Sequence, residues 1–520
     1  MSMKAEKNRM IRWAGVFLLL FLTLMLILTA SANVKGPVRS IDQLNDPDVT
    51  IGISTGSATE NSVRKEIPKA KLSYYDDKFL GYTDVANGKI DAFVYDQRQM
   101  ELSIQNGQQG VHLLKECLKE PLSIAVGISN RSTIPDLPSK INQFISEIRA
   151  DGTLDDMYQR WVIDGNEAMP DIQLPKKPTY HLRLGTSGIV PPYSYYEGAK
   201  LTGYDIELAY RFAAWLNADL LFQVYDYGAI IPAAQSGKID CIMADLQISE
   251  ERQENFLFSE PLYEEKQGIM VRATGTQMEN SSIWAPIRSS FEKTFVREKR
   301  WNLFVKGILN TIIITLLSIV LGTALGFGMF MLCREGNPVA NAVTGRLLWL
   351  VQGMPMVVLL MVLYYIVFGR VKISGILVAV AGFTLTFGAA VFGLLKLGVG
   401  AVDDGQYEAA YALGYSRRRT FFRIVLPQAL PHVMPAYRSE VVNLIKMTAI
   451  VGYITVQDLT KMGDIVRSRT YEAFFPLIAV TVIYFVLEGI IGLLIDRINR
   501  RINPKLRSGK RILKGVKTDD

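Results

Sequence analysis

Five apolar runs in the second half of this chain narrow its fold more than any other feature. They lie at about 304–331, 344–368, 374–397, 432–456 and 474–495. Each is long enough to cross a hydrocarbon core of about 30 Å. Inside a bilayer every backbone N–H and C=O must find a partner within the chain, so the runs predict an all-α membrane domain over 301–497. Between the third and fourth runs lies a polar stretch, 405–427, GQYEAAYALGYSRRRTFFRIVLP. It reads as helix, turn, helix. Residues 406–413 are good helix formers, and Gly414 can take the left-handed conformation that closes a helix. Ser416 is a natural N-cap, and Pro427 is expected to stop the second helix. Ala409 and Ala410 predict a bare surface that another protein can approach closely, with Glu408 and Arg417, Arg418 and Arg419 as charged edges. An interfacial hairpin with no partner fits the same residues.

The two ends carry membrane signals. Lys4, Lys7, Arg9 and Arg12 precede an apolar run over 13–28, followed by Thr29-Ala30-Ser31-Ala32. Basic start, apolar middle and Ala-x-Ala site make 1–32 a secretory signal or an uncleaved anchor. Either keeps its start in the cytoplasm and exports the next part of the chain. Arg497, Arg500, Arg501 and six further basic residues up to Lys517 put the tail, 498–520, in the cytoplasm. Anionic lipid is its expected partner beside a transmembrane end; nucleic acid is the rival reading and is not expected. A hydrophobic fraction of 49% with 21% charged residues says part membrane, part soluble. Three cysteines without a CxxC, and three histidines, argue against a disulfide scaffold or a metal site. No GxxxxGK[ST] loop occurs, so the chain is not expected to hydrolyse ATP by that chemistry or to carry catalytic residues.

The exported region, 33 to about 295, is soluble and α/β. Val49-Thr50-Ile51-Gly52-Ile53 reads as a strand meeting Gly56-Ser57-Ala58-Thr59 and then a helix. That arrangement can bind an anion through backbone N–H groups, or be an ordinary βα loop. Gly88-Lys89-Ile90-Asp91 returns as Gly237-Lys238-Ile239-Asp240. Two lobes of similar topology would produce the echo; chance is the alternative.

GTSGIVPPYSYYEGAKLTGYDIELAYRFAAWLNADL, with YDYGAIIPAAQSGKIDCIMADLQISEERQENFLFSEPLY after it, resembles the first lobe of extracellular amino-acid-binding proteins. These are α/β two-lobed clamshells. The resemblance implies that Arg252 clamps the ligand carboxylate, for which a bidentate guanidinium is suited. It implies that Tyr227 covers the ligand's aliphatic part and that Asp245 and Gln247 are polar contacts. Asp245 departs from the small residue usual there, so it could meet an ammonium group or turn away. Ser187 stands where binders of basic amino acids often carry an acid. The segment 41–164 resembles the second lobe and the C-terminal tail of the same family. There Ser57 matches a hydroxyl on the carboxylate and Asp96 the partner of the α-amino group. The order is therefore inverted: 33–164, a linker over 165–180, then 181–272. This resembles a circular permutation, which implies that Ser57, Asp96, Tyr227 and Arg252 share one ligand. The competing arrangement is two half-domains, each completed by a second chain.

The spacing Glu408-Ala409-Ala410, then Gly414, Ile424 and Leu426-Pro427, resembles the signature loop of ABC importer permeases. In that family the loop is cytoplasmic and docks on an ATPase subunit. Asn310-Thr311 begins a pattern similar to polar amino-acid permeases. Gln352-Gly353-Met354-Pro355 resembles the family's Arg-Gly-Thr-Pro turn, and Lys446-Met447-Thr448 its Lys-Asp-Thr. The expectation is a permease of five transmembrane helices, joined through 273–300 to its own binding domain. It would work as a homodimer for an amino acid, with ATP on a separate ATPase and no cofactor on this chain. A ligand-gated channel would need a filter such as TVGYG, which the sequence lacks. A sensory receptor would need a signalling domain, for which the residues after Arg497 are too few.

Overall fold

The computed structural model describes residues 38–502 apart from 56, 76, 166–167, 254–255, 274–283, 370, 372 and 471–474. The expected signal or anchor and the basic tail beyond 502 lie outside the described residues. The chain forms two units, Met1–Leu122 with Glu265–Asn280, and Ser123–Glu264 with Ser281–Asp520.

In the first unit, Thr50–Ser54 has its three central residues buried, as in a strand covered on both faces. It pairs in parallel with Lys71–Tyr75 and Ala92–Asp96. Gln267–Arg272 extends this sheet, antiparallel to Ala92–Asp96 on one side and Val111–Leu113 on the other. The expected domain division groups 267–272 with 181–264. The strand belongs to this sheet instead, because Ile269 and Val271 complete the core made by Ile51, Ile53 and Val94.

The soluble part of the second unit has a five-stranded sheet. Ala218–Val224, Tyr180–Thr186 and Cys241–Ile242 are parallel, and Gly127–Ile128 runs antiparallel between Cys241–Ile242 and Leu257–Phe258. Residues from before the 165–180 segment thus pair with residues after it. Phe144 and Trp161 pack in one core with Phe212 from the helix Tyr204–Trp215. The Trp161 Nε1 donates to Glu207 at 2.6 Å, satisfying the buried indole.

The rest of this unit is helical. Trp301–Cys333, Gly375–Gly400 and Phe475–Ile502 are each long and apolar enough to cross a membrane. Two bent pairs raise the number of candidate spans to five if each counts as one. Leu316, Val320, Phe485 and Leu493 are exposed apolar side chains on these helices, suited to lipid contact. Gly322 and Gly326 let Trp301–Cys333 approach Gly375–Gly400, where a Cβ on Gly326 would fall 2.5 Å from the Gly388 carbonyl. Two expectations change. The second run is not one straight helix: Pro338–Gln352 and Met356–Val367 meet at 108°. Pro355 lacks an N–H, and the residue before a proline avoids the helical region, so the chain breaks there. Pro427, by contrast, does not stop its helix. Arg417–Thr420 continues through a π-turn, Phe421–Val425, into Leu426–Met447. The π-turn shifts the bonding register just before the proline, where the Leu426 N–H bonds the Phe421 carbonyl.

Candidate functional site

Open α/β sheets bind ligands beyond the carboxyl ends of their parallel strands. In the second unit, Ser187 follows Tyr180–Thr186, Tyr227 lies just past Ala218–Val224, and Asp245 lies just past Cys241–Ile242. Ser187 is fully buried, with its hydroxyl 3.4 Å from that of Ser194. Arg252 sits on the short helix Glu250–Gln253 and is 6% exposed. Its Nη1 donates to the Gln247 carbonyl at 2.7 Å. Gln247 is itself held by an isolated backbone bridge to Ile124, so this arginine rests on a tied segment. Burial pushes the Tyr227 hydroxyl above its ordinary pKa, and the neighbouring Arg252 charge pulls it down. Asp245 has a left-handed backbone, φ 53°. Its N–H donates to Asp205 Oδ2 at 2.8 Å, and its carboxylate accepts from the Tyr263 hydroxyl at 3.4 Å. Asp205 is buried, and loss of hydration pushes its pKa up to about 7 against the stabilising bond from Asp245.

Sequence reasoning missed several residues around this group. Tyr263 stacks on Tyr193 at 5.7 Å and meets Tyr204 edge-on at 5.3 Å. The tyrosine-rich stretch around residues 193–196 was the available signal. Asp205 lies inside the stretch that resembles the first lobe, but nothing local shows that a first-turn aspartate turns inward.

In the first unit, Ser57 and Asp96 lie at the ends of adjacent parallel strands. Asp96 is 1% exposed, and its Oδ1 accepts from the Gln99 N–H at 2.6 Å, capping the helix Gln97–Gln105. Ser57 Oγ accepts from the Thr59 N–H at 3.2 Å at the start of Thr59–Glu66. Lys78, which the sequence did not single out, is buried here. Its ammonium bonds the Gln99 side chain and stands 5.0 Å from the Tyr95 ring centre.

The polar loop forms the helix Gly405–Ala412. Gly414 has φ 78°, and across it Tyr415 N–H bonds the Ala410 carbonyl at 3.0 Å while Gly414 N–H bonds Tyr411 at 2.9 Å. This paired pattern ends a helix with a left-handed residue. Glu408 and Ala409 are exposed. Ala410 is only 1% exposed, which corrects the expected bare pair. Successive helical residues point about 100° apart, and here the step from 409 to 410 crosses from the exposed face, which also holds Glu408, to the packed one. Tyr411 and Leu413 extend the exposed face instead.

An α/β lobe folded as one unit with a bundle of membrane-length helices fits a membrane transport protein that carries its own solute-binding lobe. The chain belongs to the bacterial extracellular solute-binding proteins, family 3, whose model matches residues 182–468. It is 30% identical over 214 residues to the arginine transport system permease protein ArtQ of Bacillus subtilis (strain 168), covering 39% of this chain and 92% of that protein. It is 30% identical over 183 residues to the L-cystine transport system permease protein TcyL of the same organism, covering 34% of this chain and 77% of that one. A crystal structure of an amino acid ABC transporter with histidines matches at 26% identity and a TM-score of 0.37, covering 43% of this chain and 99% of that one. The chain thus joins an amino-acid ABC importer permease to a solute-binding region in one membrane protein.

Proposed function

We propose that the lobe of the second unit takes an L-amino acid from outside the cell. Arg252 holds its carboxylate, Tyr227 covers its aliphatic part, and Ser187, Asp245 and Gln247 supply polar contacts. Ser57 and Asp96 remain candidates on the first unit, where both also serve helix starts. The membrane helices pass the amino acid inward through a pore made by two copies of the chain. A separate ATPase subunit seats on Gly405–Ala412, with Glu408 and Ala409 outward and Gly414 fixing the turn. ATP belongs to that partner and the chain itself carries no cofactor. The basic tail lies on anionic lipid in the cytoplasm.

The observation that carries this reading is Arg252, buried on a short helix beside Tyr227 with its Nη1 anchored on the Gln247 carbonyl. A carboxylate matches the planar fork of this guanidinium. Titration calorimetry on the full chain in lipid nanodiscs, against the common L-amino acids, tests it. Arg252→Ala should weaken binding at least about a hundredfold, because a charged hydrogen bond is lost and a carboxylate is left stranded. Equal affinity would place the site elsewhere.

A further inference from the structure

The helix Tyr227–Gln235 starts with a candidate ligand contact and is held at both ends by the membrane helices of the same unit. Before it, the Asp226 carboxylate accepts from Lys461 Nζ at 2.6 Å, and that Nζ also donates to the Tyr225 carbonyl at 3.2 Å. The Lys461 side chain is 3% exposed. After it, Lys238 Nζ donates to the carbonyls of Phe368 and Val371 at 2.6 and 3.0 Å. These carbonyls close the bent second span, where a cation meets the negative end of a helix. In the first turn of the helix, the Tyr365 hydroxyl donates to the Ala229 carbonyl at 3.3 Å. The helix's inner face, Ala229, Ile230 and Ala233, shares one core with Leu360, Tyr364 and Ile454.

Separating these surfaces would leave Lys461 without its anion and expose the apolar face to water. With Lys461 3% and Asp226 31% exposed the pair is half-buried, so breaking it is more unfavourable than opening a surface ion pair. We propose that Lys461 is a positioning residue for the ligand site: through Asp226 it fixes the start of the Tyr227 helix, and this lobe stays seated on the membrane helices throughout transport. The inference rests on the amino-acid reading above and adds that the lobe does not lift off to deliver its ligand.

The test replaces the ionic tie with a covalent one that can be opened. Asp226→Cys/Lys461→Cys, in the full chain with its ATPase in proteoliposomes, is bridged by a short reducible bis-thiosulfonate reagent. Bridging is checked by mass spectrometry. Uptake of a radiolabelled mixture of the common L-amino acids is then read with the bridge closed and opened. The bridged protein should transport within about twofold of wild type, and the opened one should lose about tenfold, as expected for removal of a half-buried pair that positions the site. Three outcomes overturn the proposal: transport blocked by the bridge and restored on opening, equal transport in both states, or no transport in either with the bridge formed. Wild-type protein in the same vesicles reports separately on the amino-acid reading, which fails if wild type takes up none of the mixture.

Discussion

Arg252 donates through Nη1 to the backbone carbonyl of Gln247, five residues back, at 2.7 Å. A short helix therefore turns its arginine back onto the segment that carries the neighbouring polar contact. One edge of the guanidinium is anchored by this carbonyl, and the group also lies beside the Tyr227 hydroxyl.

This anchoring gives the first prediction. Arg252→Lys keeps the charge but cannot satisfy the Gln247 carbonyl and a carboxylate with the same planar geometry. Amino-acid binding by the full chain should weaken by roughly tenfold or more, the loss of one charged hydrogen bond. Calorimetry reads it directly, and wild-type affinity in the lysine variant would contradict the geometry.

The turn after Gly405–Ala412 gives the second. A β-branched residue is strained at φ 78°, by about 1–2 kcal/mol for the left-handed region. Nothing lies within 4 Å of a Cβ built at Gly414, so the penalty is conformational rather than a clash. Gly414→Val should leave amino-acid binding intact and reduce ATP-driven uptake severalfold. Normal uptake in proteoliposomes would show that the turn is not needed for coupling.

Asp205 sets a pH dependence. Its folded pKa, raised to about 7, exceeds the ordinary carboxyl value, so the folded state holds its proton more tightly than the unfolded state. The resulting stabilisation is fully present below the unfolded pKa and is lost as pH rises through about 7. Asp205→Asn keeps an oxygen for the Asp245 N–H and cannot ionise. Relative to wild type, this variant should therefore gain stability on going from pH 5 to pH 8, by on the order of a few kcal/mol at most. Thermal melts of the detergent-solubilised chain at both pH values check the sign; a constant difference would rule it out.

Asp96 is predicted to matter to the fold independently of any ligand. Asp96→Ala removes the cap on Gln97–Gln105 and should cost about 1 kcal/mol, whereas Asp96→Asn should keep most of that stability. Hydrogen exchange of the Gln99 amide in the two variants separates them.

Features governed by neighbours in sequence were legible in advance. The helix–turn–helix at 405–420 could be read from helix formers, a glycine that tolerates positive φ and a serine cap. The membrane-length runs could be read from apolar length. Proline was harder: Pro355 breaks its span while Pro427 is absorbed, and the difference lies in the π-turn beside the second, which no local pattern announces.

What only the tertiary structure decided are the pairings between distant segments. Gly127–Ile128 joins the sheet of Tyr180–Thr186 through Cys241–Ile242, while Gln267–Arg272 leaves it for the sheet of Thr50–Ser54. Lys461 finds Asp226, and Ala410 turns inward beside an exposed Ala409. The sequence alone determined where helices, strands and turns can form, because backbone preference and apolar period act over a few residues. Which strand edge is filled, and which charge is buried against which, depends on surfaces that exist only once those elements have packed, and so was settled by the fold.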